Sequence, residues 1–411
     1  MLRLEAALSR VLEGIACLDS EEVPLAEAHG RFLSDDVIAP RAIPPWDNSA
    51  MDGFALRAED VEHTPHALQV LETIPAGGVG TQVVVSGTCS RIMTGAPMPS
   101  GADSVIMVEQ TRMLDANTVE LTAPVRLGQN VRLAGNDVSP GTTVLSAGRR
   151  LDPAAVGLLS SLGMAQVSVV RRPVVAILST GDEVVEAGQP LGPGRIYSSN
   201  THSLMGQVLE AGGLPVDCGN APDAPEELLK YLQRCLVGDL IVTTGGVSVG
   251  DFDFVKEAYE ALGSDLDFWK VAIKPGKPLA FGQIGGKPAF GLPGNPVSCM
   301  VNFTEFVRPA IQRMLGAQRG FSPVVDACLL AGISKKPGRA LLSRVALQMR
   351  DGQICAAPFS NQSSGALSSM VAADGLALLN VENDGLEEGD SVRVQVLRWD
   401  WTLGAEANLG W

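Results

Sequence analysis

The sequence predicts a multidomain chain that combines an α/β domain, built on a parallel sheet, with mostly β domains. Its 411 residues exceed what one ordinary hydrophobic core holds. Strand-like and helix-like segments alternate in the second half of the chain, and short β-like runs broken by Gly and Pro lie on either side. We expect an α/β domain over 171–318, an inserted mostly β domain over 26–140, a discontinuous linking domain formed by 1–25 and 141–170, and a β-barrel-like C-terminal domain over 319–411.

Composition excludes several classes of function. A net charge of −15 argues against a nucleic-acid-binding protein, which needs a dense positive surface. The seven cysteines form no CxxC pair and the four histidines form no HExxH pattern, so we expect reduced thiols and no zinc site. The N-terminus lacks the apolar core of a secretory signal, and no apolar run reaches the length of a membrane span. These features predict a cytoplasmic protein that binds neither nucleic acid nor membranes.

The first third of the chain predicts one helix followed by short strands. Apolar residues between Leu4 and Ile15 fall on one helical face, so the chain opens with an amphipathic helix. We expect this helix to pair with residues 144–170. Strand-like runs follow at Ala67–Ile74, Thr81–Val85, Ser104–Val108 and Thr118–Leu121.

Three polar turns interrupt this β region. PPWDNSAMDGFA exposes Asn48 and Asp52, RIMTGAPMP carries Thr94, and LAGNDVSPG carries Asp137. Each turn, taken singly, is also what an ordinary surface loop looks like, so a functional and a purely structural interpretation both stay open.

Regular alternation of strand and helix begins after Arg171. It predicts a parallel sheet with right-handed crossovers. The expected elements are strands at Val174–Leu178, Leu214–Cys218 and Asp239–Thr243, and helices at Asn200–Gly212 with Asn200 as its cap, at Pro225–Leu236 and at Pro296–Leu315.

Polar turns follow these strands, and in open α/β sheets the carboxyl ends of the strands form the ligand-binding edge. STGDE places Glu183 after the first strand, and Asp223 follows the second. Gly245 and Gly246 let the chain turn after the third, and a helix with Asp253 in its first turn is expected to begin near Gly250.

Two turns rich in Gly and Pro add positive charge and a helix start to the same edge. KPGKP supplies Lys274 and Lys277, and LPGNPVS presents Asn295 as a helix cap before Pro296. Carboxylates beside lysines suit a divalent cation that bridges protein oxygens and phosphate. The alternative is that the acidic residues only cap helices and that the lysines lie on a solvated turn.

The C-terminal region predicts a small β domain from Val324 onward, with turns at 350–352 and 388–390. Its polar candidates are Arg344 and the run Asn361–Ser364. The tail WDWTLGAEANLGW shows no interpretable pattern.

Together these motifs resemble the molybdopterin molybdenumtransferases, the family that includes the E domain of gephyrin. PPWDNSAMDGFA, RIMTGAPMP, LSTGDE, TTGGVSVGDFDF, IKPGKP and GLPGNPVS occur in that family's order across nearly the whole chain. The resemblance implies an enzyme that takes adenylylated molybdopterin and molybdate, requires Mg²⁺, releases AMP and leaves molybdenum on the dithiolene. It also implies a homodimer with four domains per subunit, and partners in the molybdopterin adenylyltransferase and molybdoenzyme maturation proteins.

The resemblance carries functional roles onto matching residues of this chain. Catalytic roles are expected at Asp52, Thr94, Asp137, Glu183, Asp253, Lys274 and Lys277. Substrate binding is expected at Thr180, Gly181, Asp182, Asp223, Gly245, Gly246, Ser248, Gly250, Pro293, Asn295, Pro296, Arg344 and Ser364. The Mg²⁺ ligands would be Glu183 and Asp253. Asp52 and Thr94 would act across the dimer.

Two other functions fit parts of the sequence. TTGG before an acidic helix start also resembles the adenylyltransferase that makes the substrate, although that family is one small domain without the PPWDNSAMDGFA and LPGNP motifs. A scaffold that binds a peptide through its C-terminal β domain is the second alternative, but it leaves the carboxylate and lysine turns unexplained.

Overall fold

Packing divides the chain into two units, each assembled from separate stretches of sequence. The structure is a computed structural model that describes residues 1–61, 63–246, 261–263, 267–318, 320 and 322–398. The first unit, called here the α/β–barrel unit, comprises Met1–Glu21, Gly30–Ser34 and Ser168–Trp411. The second, the β unit, comprises Glu22–His29 and Asp35–Val167.

The N-terminal helix belongs to the α/β–barrel unit. Helix α1 (Leu4–Glu13) ends at Gly14, and strand β1 (Ser20–Pro24) follows. Ala7 and Val11 are fully buried in one core with Phe306 and Ile311. Most of residues 144–170, the expected partner of this helix, belong to the β unit, so the expected pairing stays a prediction. The four-domain boundaries stay a prediction.

The β unit is built around a six-stranded sheet in the order β7-β4-β6-β5-β9-β8. Leu56, Leu68 and Ile106 are buried in its core. Its strands are β2 (Val37–Ile38), β3 (Asn48–Ser49), β4 (Gly53–Leu56), β5 (His66–Ile74), β6 (Thr88–Ile92), β7 (Ser104–Met107), β8 (Thr111–Met113), β9 (Thr118–Leu121), β10 (Val131–Arg132) and β11 (Thr143–Leu145). Helix α2 (Pro153–Ser161), which Asp152 caps, and strand β12 (Gln166–Val170) complete the first half of the chain.

The expected strand at Thr81–Val85 is absent, and the segment runs as irregular backbone. The Glu72 carboxylate accepts hydrogen bonds from the backbone N–H groups of Thr81 and Gln82, both at 2.9 Å. A side chain therefore takes the place of a partner strand, and Val83 and Val85 are left exposed.

A six-stranded sheet forms the centre of the α/β–barrel unit, in the order β16-β13-β17-β21-β20-β18. The first four strands are parallel, β20 is antiparallel to β21, and β18 at the edge is antiparallel to β20. The strands of this region are β13 (Val174–Thr180), β14 (Val184–Val185), β15 (Ile196–Tyr197), β16 (Leu214–Ala221), β17 (Leu240–Thr244), β18 (Asp267–Lys270), β19 (Ile273–Lys274), β20 (Pro278–Ile284) and β21 (Lys287–Leu292).

Helices cover both faces of this sheet. Helix α3 (Asn200–Glu210) packs with α1 on one face, and α4 (Pro225–Cys235) packs on the other. The expected helix Pro296–Leu315 forms as one continuous helix that consists of three consecutive segments. They are α5 (Pro296–Asn302), a π-helical turn at Phe303–Val307, and α6 (Arg308–Met314).

The C-terminal region closes into a five-stranded barrel, which confirms the barrel-like prediction. Strands pair in the order β24-β25-β22-β28-β26, and β26 pairs back with β24. Strand β19 adds to β24 in parallel from outside the barrel. The elements are β22 (Val324–Leu329), β23 (Ile333–Ser334), β24 (Ala340–Arg350), β25 (Gln353–Pro358), α7 (Leu367–Ala372), β26 (Gly375–Leu379), β27 (Gly385–Leu386) and β28 (Ser391–Val396). In the described part of the chain, every helix is too short or too polar to span a membrane.

Candidate active site

A cavity of about 610 Å³ opens at the carboxyl ends of the parallel strands in the α/β–barrel unit. Four segments that the sequence predicted at this edge line the cavity. They are Thr180, Gly181 and Glu183 at the end of β13, Asp223 after β16, Gly245 and Gly246 after β17, and Pro293, Asn295 and Pro296 after β21. This arrangement confirms that the strand-end turns share one edge of the sheet.

Close backbone packing explains the glycine at the end of β17. Gly245 has φ +96°, and a Cβ there would lie 2.5 Å from the Thr180 carbonyl oxygen. Its N–H donates to the Leu292 carbonyl at 3.2 Å, so this amide is not free to bind an anion. The Thr180 hydroxyl in turn donates to the Thr244 carbonyl at 3.5 Å. Gly245 therefore joins neighbouring strand ends and brings them close together.

Two carboxylates, Glu183 and Asp223, line the cavity at the ends of β13 and β16, and Asp182 lies between them in the turn network. The Glu183 carboxylate lies over Gly181, where a Cβ would be 2.5 Å from Glu183 Oε2. Asp182 and Asp223 each receive the other's backbone N–H, at 3.3 and 3.5 Å. Glu183 and Asp223 are exposed to the cavity and offer hard oxygen ligands. Within the described ranges, no group of three or more His, Cys, Asp or Glu side chains is arranged to hold a metal ion by itself.

Asn200 is a cavity residue whose role the sequence did not predict. We expected a helix cap, yet Asn200 is the first residue of α3, and the cap position at Ser199 makes no side-chain cap bond. The Asn200 amide instead donates to Thr244 Oγ1 at 2.8 Å and to the Gly294 carbonyl at 2.9 Å. It thus ties the end of β17 to the LPGNP turn. An Asn before a helix looks the same in sequence whether it caps the helix or bridges two loops.

The LPGNP turn ends at the start of α5. Asn295 occupies the cap position before Pro296 as predicted, but its side chain makes no cap bond. The Val297 N–H donates instead to the Ser364 carbonyl at 3.0 Å, so the loop Asn361–Ser364 supplies the cap. Behind the turn, Cys299 Sγ lies 3.5 Å from Thr244 Oγ1, and burial raises the pKa of the Cys299 thiol to about 12.

The KPGKP turn lies beside the cavity rather than in its lining. Pro278 lines the cavity directly after Lys277, and both Lys274 and Lys277 are exposed. The fully buried Asn302 holds the turn in place: its Nδ2 donates to the Pro278 carbonyl at 3.0 Å, and a Cβ at Gly276 would lie 2.7 Å from its Oδ1. Neither lysine forms an ion pair with any carboxylate among the residues that the structure describes.

Arg344, on β24 of the barrel, is fully buried. Its Nη2 donates to the carbonyls of Asn361 and Ser363 at 3.2 and 3.1 Å. Among the described residues, its Nε and Nη1 find no acceptor, and burial lowers the pKa of the guanidinium. Because the Ser364 carbonyl caps α5, Arg344 is linked to the cavity edge through one loop.

The β unit brings two of its predicted turns together. Asp52 accepts hydrogen bonds from the backbone N–H and the hydroxyl of Thr94, both at 2.7 Å. These two bonds, with a smaller effect of Arg91, hold the pKa of Asp52 below its usual value. Asp137 lies on the third turn, where its backbone N–H donates to the Ile43 carbonyl and its side chain is exposed.

Several predicted residues lie outside the described residues. They are Ser248, Gly250 and Asp253, together with the helix expected near Gly250 and the tryptophan-rich tail. The predicted metal pair is thus represented here by Glu183.

Three family models match the chain in sequence order. The model "MoeA N-terminal region (domain I and II)" matches residues 2–163, "Probable molybdopterin binding domain" matches 176–313, and "MoeA C-terminal region (domain IV)" matches 326–397.

Characterised relatives match over almost their whole length. Molybdopterin molybdenumtransferase 2 of Mycobacterium tuberculosis is 38% identical over 390 residues, which are 92% of this chain and 95% of that protein. Molybdopterin molybdenumtransferase of Haemophilus influenzae is 37% identical over 399 residues, 96% of this chain and 98% of that protein. The crystal structure of molybdopterin biosynthesis moeA protein from Pyrococcus horikoshii OT3 covers 96% of this chain and 100% of its own, with a TM-score of 0.83 and 32% identity.

Proposed function

The chain belongs to the molybdopterin molybdenumtransferase family, and on that premise we propose that it transfers molybdenum from molybdate to adenylylated molybdopterin with release of AMP. The observation that carries this proposal is the cavity at the sheet edge, with carboxylates at one end and the lysine turn beside the other. A substrate with a phosphate anhydride and a dithiolene needs both kinds of group.

The carboxylate end suits Mg²⁺. Glu183 and Asp223 present exposed oxygen atoms, and Mg²⁺ is commonly held by one or two carboxylates together with substrate phosphates. We assign Glu183 as a ligand, with Asp253 as the second ligand that the family implies. When bound there, Mg²⁺ would neutralise charge on the phosphate oxygens. The described part of the chain supplies no thiolate or histidine cluster that would favour a softer metal.

The lysine turn and Arg344 suit the molybdate oxyanion. Lys274 lies on β19, which pairs with β24, and Arg344 lies three residues beyond Leu341, the partner of Lys274. A buried guanidinium whose Nε and Nη1 lack acceptors among the described residues can donate to an oxyanion at little further desolvation cost. We propose that Lys274, Lys277, Arg344 and Ser364 hold molybdate next to the dithiolene, which keeps both reactants in place before the anhydride breaks.

The β-unit turns are assigned to the same reaction. Asp52, held ionised by Thr94, is a fixed negative charge able to orient or deprotonate a substrate group. We propose that Asp52, Thr94 and Asp137 act on substrate bound to the partner subunit of a cytoplasmic homodimer. The seven free thiols support a reducing compartment. Light scattering coupled to size-exclusion chromatography measures the subunit number.

The test of the proposed function is AMP release from adenylylated molybdopterin by purified protein with Mg²⁺, with and without molybdate. Molybdate-dependent release, with molybdenum recovered on the pterin, is the expected result. Formation of the adenylate from ATP and molybdopterin would instead identify an adenylyltransferase. Absence of both reactions would refute the proposal.

A further inference from the structure

The segment that follows β13 forms a strap over one end of the cavity. Strand β14 pairs with β15 in parallel, and the backbone N–H groups of Ile196 and Ser198 donate to the carbonyls of Glu183 and Val185, both at 2.8 Å. The strap, residues 183–198, therefore returns to the strand end from which it left. Its two ends are held at the cavity by backbone hydrogen bonds.

Two apolar side chains of the strap line the cavity while remaining exposed. Ile196 is 56% and Tyr197 46% exposed. The Tyr197 hydroxyl donates to the Gln189 carbonyl at 3.0 Å, so the tip of the ring is tethered within the strap. The cavity wall otherwise consists largely of Gly, Pro, Ser, Thr and carboxylate side chains. A tethered and exposed aromatic ring on the cavity wall is suited to stacking against a planar heterocycle.

The order of strands indicates which part of the substrate meets this ring. Along the edge, Asp223 follows β16, Glu183 follows β13, Gly245 follows β17, and Lys277 precedes β20 at the far end. The strap continues directly from Glu183 and thus stands at the carboxylate end. Under the proposed function, the phosphates lie with Mg²⁺ at this end and the dithiolene lies toward the lysine turn. The heterocycle beyond the phosphates is then the purine of the adenylate.

We propose that Tyr197 is a specificity-determining residue that stacks against the adenine ring of the leaving AMP. This inference rests on the proposed function and adds to it a contact for the leaving group. The ring would select a planar base while the carboxylate end, through Mg²⁺, holds the phosphate. Base stacking and phosphate binding use different residues, so their contributions to AMP affinity can be measured separately.

Equilibrium dialysis of AMP against the full-length protein with Mg²⁺ tests the inference without any turnover. Tyr197→Ala is expected to weaken AMP binding by roughly tenfold or more, in line with the loss of one base–aromatic stack. Tyr197→Phe, which keeps the ring, is expected to stay within about twofold of wild type, given that stacking dominates. Leu191→Ala is the matched control, because Leu191 is an exposed apolar residue (48%) of the same strap outside the cavity lining.

Ribose 5-phosphate, which has the phosphate and sugar but no base, separates stacking from structural damage. Its affinity should be unchanged in Tyr197→Ala. An equal loss for both ligands would show that the tyrosine only shapes the strap, and unchanged AMP binding would also overturn the inference while leaving the proposed function intact. If wild-type protein neither binds AMP nor releases it in the transfer assay, the proposed function fails and this inference fails with it.

Discussion

Replacing Gly276 with alanine should destabilise the α/β–barrel unit through two separable effects. Gly276 has φ +101°, which costs an alanine about 1–2 kcal/mol. The new Cβ would also lie 2.7 Å from Asn302 Oδ1. Asn302 must then move and give up its 3.0 Å bond to the Pro278 carbonyl, a further loss of about 1 kcal/mol. We expect Gly276→Ala to lower the free energy of unfolding by about 2–3 kcal/mol in total.

Asn302→Ala separates these effects in a double-mutant cycle. Alone it should cost about 1–2 kcal/mol, because it removes the same hydrogen bond from a buried site. In the double variant the clash is gone, so the combined loss should fall short of the sum of the single losses by about 1 kcal/mol. Urea unfolding, monitored by circular dichroism and fluorescence with coincident transitions, measures all four free energies. Strict additivity would refute the idea that Asn302 holds the turn against Gly276.

Three other perturbations test the site and the π-helical turn. Asp52→Ala should fold normally and reduce molybdate-dependent AMP release by about 100-fold or more, as is found for other acid–base residues. The control Asp115→Ala, at an exposed hairpin of the same unit, should leave AMP release unchanged. A changed circular dichroism spectrum of Asp52→Ala would show that Asp52 is structural. Lys274→Ala should raise the KM for molybdate by roughly tenfold, because one charge-assisted contact is lost. The control is Lys336→Ala, which removes another exposed lysine and should leave this KM unchanged. An unchanged KM in Lys274→Ala would show that Lys274 does not bind the oxyanion. Burial raises the pKa of Glu305 from its usual 4.5 to about 7, so ionisation of this carboxyl destabilises the fold increasingly between these pH values. Glu305→Gln should therefore be about 3 kcal/mol more stable to unfolding than wild type at pH 8 and nearly equal to it at pH 4.5. A pH-independent difference in the free energy of unfolding would contradict this.

Much of the α/β region could be predicted from the sequence because burial on both faces demands apolar runs. The composition of Val174–Leu178 predicts a strand, and the observed strand is longer by two residues, ending at Thr180. The polar residues gathered at the cavity followed from a general property of parallel sheets, namely that carboxyl ends meet at one edge. The family resemblance assigns roles to Asp52 and Thr94 one by one, but their close contact was not predicted, because it joins turns 42 residues apart in sequence.

Other features depended on contacts that no local pattern encodes. Nothing in the residues around Arg344 indicates that its side chain would be fully buried, because that burial is set by the closing of the barrel. Thr81–Val85 has the composition of a strand, but the backbone N–H groups of Thr81 and Gln82 donate to the Glu72 carboxylate and not to a neighbouring strand. Tyr197 lies in a stretch rich in Gly and Pro that looks like any loop, and its position at the cavity follows from the return of the strap to β13.

The core position of α1 has a consequence for synthesis on the ribosome. Ala7 and Val11 pack with Phe306 and Ile311, which are translated some 300 residues later. At about 5–20 residues per second, the apolar face of this helix waits roughly 15–60 s for its partners. The β unit, whose chain is complete at Val167, emerges in that interval and can fold first. During translation the nascent chain therefore carries this amphipathic segment before its core partners exist, and exposed apolar surface of this kind is what chaperones bind.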